Sequence, residues 1–358
     1  MSGIDEFGPA WWLPGAHPQT IWGRLTRGRR LVAFRRELLE TPDGDELVLD
    51  HVDGPAGSPR VLLLHGLEGS SCSVYIQGFL REIARRGWRG AALNFRSCAR
   101  DPRALSRMLP NRRARLYHSG ETSDLDFVAR TLSAREPGTP LLTIGVSLGG
   151  NVLLKWLGEQ GTEAPVDAAA AVSTPYDLGA SARHLETPIG RVYVGSFLAT
   201  LRGKALEAAR RFPEAAARID LPRTISARTF WEFDDAANAP LHGFKGADDY
   251  YRRASSLSFL PRIATPTLCL SAEDDPFLPP EALERARAAT SPAVTFATTP
   301  RGGHIGWVSG PAPWRPRYWA EEFVVDWLAG RLAQAPKAVF RTSGPRRALG
   351  PAYGRPRG

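Results

Sequence analysis

At 358 residues, with 43% hydrophobic and 23% charged residues, the chain has the size and composition of a folded, enzyme-sized body and not of a disordered or fibrous one. The formal charge of +9 does not mark a nucleic-acid binder, because six basic residues and no acidic one fall between Pro336 and Gly358, leaving the rest near neutrality. Three scattered cysteines exclude a disulfide scaffold or a closely paired zinc site, and no run of about 18 apolar residues is present to span a membrane. The first residues show no basic stretch leading into an apolar core, so no secretory signal is read there. These features lead us to expect a cytoplasmic protein with reduced thiols, no metal or cofactor, and a basic, disordered tail over 336–358.

In chain order, Leu38 to Val52 alternates around Pro42-Asp43-Gly44-Asp45 and predicts an antiparallel hairpin. From Arg60 onward short apolar runs alternate with helical patterns, as βαβ units on a parallel sheet require. The runs are Val61 to Leu64, Gly90 to Asn94, Leu141 to Ile144, Ala168 to Val172, Thr267 to Leu270 and Val294 to Ala297. The intervening helices are expected at Val74 to Arg86 (stopped by Gly87), Glu121 to Glu136 (capped by Ser119 or Thr122), Pro280 to Ala289 and Trp319 to Ala333. The stretch from Tyr176 to Pro261 is far longer than an ordinary αβ connection of about 2–6 residues. Its aromatics and its helical pieces, Ala199 to Arg211 and Ala247 to Ser255, point to an inserted helical lid. The fold expected is an α/β-hydrolase fold: a mostly parallel sheet with an antiparallel leading edge and helices on both faces.

Gly145-Val146-Ser147-Leu148-Gly149 matches G-x-S-x-G, a weak pattern alone and a strong one between a strand and a helix. There the glycines permit a sharp turn that projects the Ser147 hydroxyl into open space. A hydroxyl is a poor nucleophile until a base takes its proton. His304, in Arg301-Gly302-Gly303-His304-Ile305-Gly306 before the last helix, has the chain position of that base. The acid that orients it should follow the strand Thr267 to Leu270, where Glu273, Asp274 and Asp275 stand together. Asp275 is favoured because Pro276 restricts it to an extended geometry, with Asp274 left as the alternative. His65-Gly66-Leu67-Glu68-Gly69 follows the first parallel strand, so the backbone N–H groups of Leu67 and Leu148 are the candidate oxyanion donors. His65 itself is read as a residue that orders this loop.

Further motifs extend through most of the chain. They include Trp12-Leu13-Pro14 with His17-Pro18-Gln19-Thr20-Ile21-Trp22, Asn94-Phe95-Arg96-Ser97-Cys98 and Tyr117-His118-Ser119-Gly120-Glu121-Thr122. Phe233-Asp234-Asp235, Ala239-Pro240-Leu241-His242-Gly243-Phe244 and Asp274-Asp275-Pro276-Phe277 complete the set. With these the chain resembles the YheT-like branch of the α/β hydrolases, which also includes animal abhydrolase-domain lipid hydrolases and fungal ethanol acyltransferases. The resemblance implies hydrolysis of carboxylic esters with Ser147, Asp275 and His304 at the triad positions, and it favours Asp275 over Asp274. The expected partner is a small acyl ester of short to medium chain, with no nucleic acid. Transfer of the acyl group to an alcohol is the nearest alternative, and a non-catalytic binding protein a more distant one. The arginines between Arg100 and Arg115 are read as a solvated surface loop, against the alternative that they border the substrate entrance and favour anionic esters.

Overall fold

In the computed structural model, which describes residues 7–28 and 31–334, eight strands form one sheet. They are β1 (Arg35–Glu40), β2 (Glu46–Val52), β3 (Arg60–Leu64), β4 (Arg89–Asn94), β5 (Leu141–Val146), β6 (Ala168–Val172), β7 (Thr267–Ala272) and β8 (Val294–Thr299). Their spatial order is β1-β2-β4-β3-β5-β6-β7-β8. β3 to β8 run parallel, while β1 and β2 form the antiparallel edge. The fold and its leading edge are those expected from the sequence. The basic tail expected over 336–358 lies outside the described residues.

The principal helices are α1 (Ala16–Thr26), α2 (Val74–Arg85), α3 (Ser123–Arg135), α4 (Leu148–Gln160), α5 (Leu178–His184), α6 (Pro188–Arg211), α7 (Ala247–Ala254), α8 (Pro280–Ala288) and α9 (Trp319–Gln334). Side chains alternate across each strand, and this sorts the core into two layers. Val61 and Leu63 face α2 and α9, meeting Phe79, Ile83, Val324 and Leu328. Leu62 and Leu64 face the opposite way, toward Leu125 and Val128 of α3 and Leu153 and Leu157 of α4. Because both faces are covered, β3 is a continuous apolar run with Val61 to Leu64 wholly buried. Each such side chain contributes roughly 1.5–3 kcal/mol.

Between β6 and β7 the chain leaves the sheet and builds α5, α6, α7 and several short turns of helix. This insertion has an apolar cluster of its own, which includes Leu185, Val194, Leu198, Leu201 and Phe233. α6 begins at Pro188, well before the expected Ala199. Thr187 caps it by accepting from Gly190 N, and Pro188 occupies its first turn. Its first turns expose Ile189 and Val192, so no buried stripe marks them in the sequence. α3 also differs from expectation, since neither Ser119 nor Thr122 caps it through a side chain. Instead the Glu121 carboxylate accepts from Ser123 N at 2.9 Å and from Ser123 Oγ at 2.6 Å. The helix α1 was not expected at all.

After β4, Arg96 is fully buried against three carboxylates, with Asp45 and Asp124 at 2.8 Å and Asp43 at 3.0 Å. A guanidinium buried in this way needs such partners to offset the loss of water. Arg112 pairs with Glu46 at 2.5 Å and Arg115 with Glu121 at 2.5 Å and Asp43 at 3.2 Å. Arg113 donates to the Asp43 carbonyl at 3.1 Å. These arginines hold the basic loop onto the β1–β2 turn; Arg100, by contrast, lines the cavity that also exposes Ser147.

Candidate active site

Ser147 stands between β5 and α4 with φ 54° and ψ −122°. A non-glycine residue in this region of backbone space carries strain of roughly 1–3 kcal/mol. The left-handed turn therefore falls on the serine itself, and the flanking glycines serve a different need. A Cβ at Gly145 would lie 2.4 Å from the Gly149 carbonyl oxygen, and one at Gly149 would lie 2.6 Å from the carbonyl oxygens of Leu64 and His65. Any larger residue would push α4 away from β3 and β5.

His304 Nε2 is 2.9 Å from Ser147 Oγ, and its Nδ1 is 2.8 Å from Asp275 Oδ2 and 3.1 Å from Oδ1. The Asp275 carboxylate is sealed from solvent, and Phe277 stacks on the imidazole with ring centres 4.2 Å apart. The three residues reach one another from the ends of β5, β7 and β8, where loops of an open parallel sheet converge. Asp274 does not face the imidazole. Its Oδ1 accepts from Gly303 N at 2.8 Å, beneath the glycine loop, and Glu273 is exposed. Burial holds the Asp274 carboxyl above its ordinary range.

The histidine loop is fixed by residues that the motif reading did not assign. Thr20 Oγ1 of α1 accepts from His304 N at 2.9 Å, and Ser173 Oγ accepts from Ile305 N at 3.0 Å. Gln19 ties α1 to the segment beyond, accepting from Val308 N at 2.7 Å and donating to Val308 O at 3.0 Å. Thr20 and Gln19 lie in the His17-Pro18-Gln19-Thr20 motif, which was the available signal.

On the other side of Ser147, His65 Nδ1 lies 2.7 Å from Gly66 O, and its Nε2 accepts from Phe95 N at 3.1 Å. Complete burial lowers this imidazole to about 3, so it is a neutral ring that ties the loop to the strand end. Gly66 N donates to Tyr75 Oη at 2.9 Å and Glu68 N to Tyr117 Oη at 2.8 Å. Between them, Leu67 N has no protein acceptor among the described residues. Leu148 N heads α4, where no intrahelical acceptor exists. Glu68, at φ 55°, accepts from Tyr117 Oη and from Lys204 Nζ, both at 2.7 Å. Lys204 comes from α6 and also meets Cys98 Sγ at 3.1 Å. The loop after β3 is thus gripped by the insertion through a buried ion pair.

Ser147, Leu67, Leu148 and His304 line one cavity of about 390 Å³, which runs from α1 to Tyr250 and Tyr251 of the insertion. This is within the range of small-molecule sites. Cys72, Cys98 and Cys269 are buried thiols and form no disulfide. Among the described residues no group of three His, Cys, Asp or Glu side chains is disposed to hold a metal ion, and no helix is long and apolar enough to cross a membrane.

Comparison with known proteins agrees with this architecture. The family model for the α/β hydrolase fold matches residues 59–311. YheT of Escherichia coli K12 is 37% identical over 335 residues, covering 93% of this chain and 95% of its own. Phospholipase ABHD3 of Mus musculus is 32% identical over 318 residues, covering 86% and 75%. Among solved structures, an esterase of Exiguobacterium antarcticum superposes with a TM-score of 0.50 at 14% identity, covering 83% and 100%; at that identity the likeness is one of fold. The chain is a hydrolase of the α/β-hydrolase family, within its YheT-like branch.

Proposed function

We propose that the chain is a serine-dependent carboxylic-ester hydrolase that works through an acyl-enzyme on Ser147. The observation that carries this reading is the unbroken chain of contacts from the Ser147 hydroxyl through His304 to Asp275. Ser147 Oγ attacks the ester carbonyl carbon while its proton passes to His304 Nε2, and Asp275 holds the Nδ1 proton and stabilises the imidazolium. The carbonyl oxygen becomes an oxyanion that the N–H groups of Leu67 and Leu148 receive, one such donor being worth about 3 kcal/mol. Collapse expels the alcohol, which takes the proton from His304. Water then repeats the sequence and frees the acid.

The dominant apolar lining of the cavity, with Leu178, Leu185, Phe197 and Leu201 from the insertion, supports acyl esters of short to medium chain and a lid role for the insertion. The mouse relative's name, a phospholipase, supports lipid-like esters. The buried thiols support a cytoplasmic setting. The test is turnover of p-nitrophenyl acetate, butyrate, octanoate and palmitate by the parent and by Ser147→Ala. The reading expects butyrate or octanoate to exceed palmitate and the variant to turn over none. Turnover by Ser147→Ala equal to that of the parent would contradict it.

A further inference from the structure

Large apolar side chains rarely stand in water together unless something covers them. Eight are exposed among the described residues, and four of these occupy two neighbouring helices: Ile21 and Leu25 on α1, Ile189 and Val192 on α6. Leu25 and Val192 are each 73% exposed. Spacings of four residues on α1 and three on α6 put each pair on a single helix face. The two helices meet where His17 Nδ1 lies 3.0 Å from Tyr193 Oη, with the two rings stacked. Both helices also bound the cavity, through Ile21 and Arg24 on α1 and Tyr193 and Ser196 on α6. The exposed apolar stripes therefore frame an entrance to the space that holds Ser147.

Their charge has one sign. Arg24 and Arg191 are exposed on the same helices, and neither has a carboxylate partner among the described residues. α1 contains no acidic residue, and α6 contains none before Glu207. A surface that joins aliphatic side chains to arginines with no carboxylate partner among the described residues complements the anionic headgroups and acyl boundary of a phospholipid bilayer.

We propose that the α1–α6 face docks the protein on anionic phospholipid surfaces, turning the cavity entrance toward the lipid. Leu25 and Val192 enter the acyl boundary, and Arg24 and Arg191 meet the phosphates. Docking of this kind lets an apolar substrate pass into the cavity without crossing water.

The experiment is co-sedimentation of the full chain with vesicles of phosphatidylcholine, alone or mixed equally with phosphatidylglycerol, at low and high salt. The parent should bind the anionic vesicles more tightly, and salt should weaken that preference. Leu25→Glu/Val192→Glu should bind them about tenfold or more weakly, with an unchanged melting temperature and unchanged turnover of a water-soluble acetate ester. Arg24→Gln/Arg191→Gln should lose the preference for phosphatidylglycerol. Equal binding by the parent and Leu25→Glu/Val192→Glu would overturn the proposal. So would sedimentation showing a dimer of the parent that this variant abolishes without any change in vesicle binding, because the face would then cover itself.

Discussion

The elbow at the end of β5 and the insertion between β6 and β7 border the same cavity, yet different physics holds them. The elbow is set by sheet hydrogen bonds and by close packing so tight that Gly145 and Gly149 have no room for a Cβ. The insertion has a smaller apolar cluster and is tied to the core by buried polar contacts. Lys204 reaches Glu68, Ser119 N donates to Tyr250 Oη at 2.8 Å, and His118 packs on His242 with ring centres 4.5 Å apart. Apolar packing tolerates volume-conserving change, whereas a buried charge that loses its partner costs about 3–5 kcal/mol. The difference predicts that the core sets whether chemistry occurs and the insertion sets how well, under conditions that disturb polar groups.

The largest effect should come at the core. Asp275→Asn should lower kcat by about 10⁴-fold through the wrong imidazole tautomer, with little change in KM. Asp274→Asn, which alters a contact to the glycine loop, should cost far less in kcat. Steady-state kinetics of the two variants make the comparison, and a greater loss in Asp274→Asn would exchange their roles.

Next comes the link between the two regions. Lys204→Met leaves Glu68 buried without its cation and should destabilise the fold by about 3 kcal/mol in urea unfolding. It should also lower kcat by roughly 10–100-fold as Leu67 N drifts from its place. Lys204→Met/Glu68→Gln should recover much of the stability and little of the rate. Recovery of both would make the pair a structural staple with no part in positioning the loop.

A smaller effect should separate the regions by pH. Burial lowers His118 to about 4 and His242 to about 3, with nearby cations further disfavouring the protonated rings and the Glu121 carboxylate opposing the shift. The folded protein keeps both neutral, whereas the unfolded chain binds protons below about 6.5. Their contribution is therefore complete above that pH and is lost as pH falls toward the folded values. Glu321, raised to about 7 by burial, acts in the opposite direction, because its folded form holds a proton that the unfolded form releases. Comparing His242→Gln with the parent cancels the contribution of Glu321. Between pH 7 and pH 5 the variant should lose about 1–2 kcal/mol less stability. Parallel losses would show that His242 does not contribute to the pH dependence of stability.

The smallest effect should lie in the basic loop. Because Arg112 and Arg113 bind the β1–β2 turn, Arg112→Ala/Arg113→Ala should cost about 1 kcal/mol or less. KM for neutral and anionic esters should move equally. A selective rise for the anionic ester would return these arginines to substrate recognition.

What was legible in the sequence follows the same division. Strands buried on both faces announce themselves as apolar runs, and G-x-S-x-G, the glycine-flanked His304 and the carboxylates after β7 each lie at a strand end where position restricts role. α1 was illegible because Gly15 at its start supplies no cap and Pro18 and Gly23 interrupt its pattern. The first turns of α6 were hidden because the apolar residues that mark them point outward. Glu68 lay inside a recognised motif, but its partner Lys204 is 136 residues away, and no local pattern encodes a pairing across that distance.

The chemistry proposed for this site turns on Ser147 as the nucleophile and His304 as the base that activates it. A fluorophosphonate probe reacts with a serine only when base and oxyanion donors are in place. The direct measurement is therefore intact-mass and peptide-mass analysis of the full chain after exposure to such a probe. One adduct per chain is expected on the peptide bearing Ser147, absent from Ser147→Ala and formed far more slowly in His304→Ala. An adduct on another serine, or equal labelling of Ser147→Ala and the parent, would contradict that assignment.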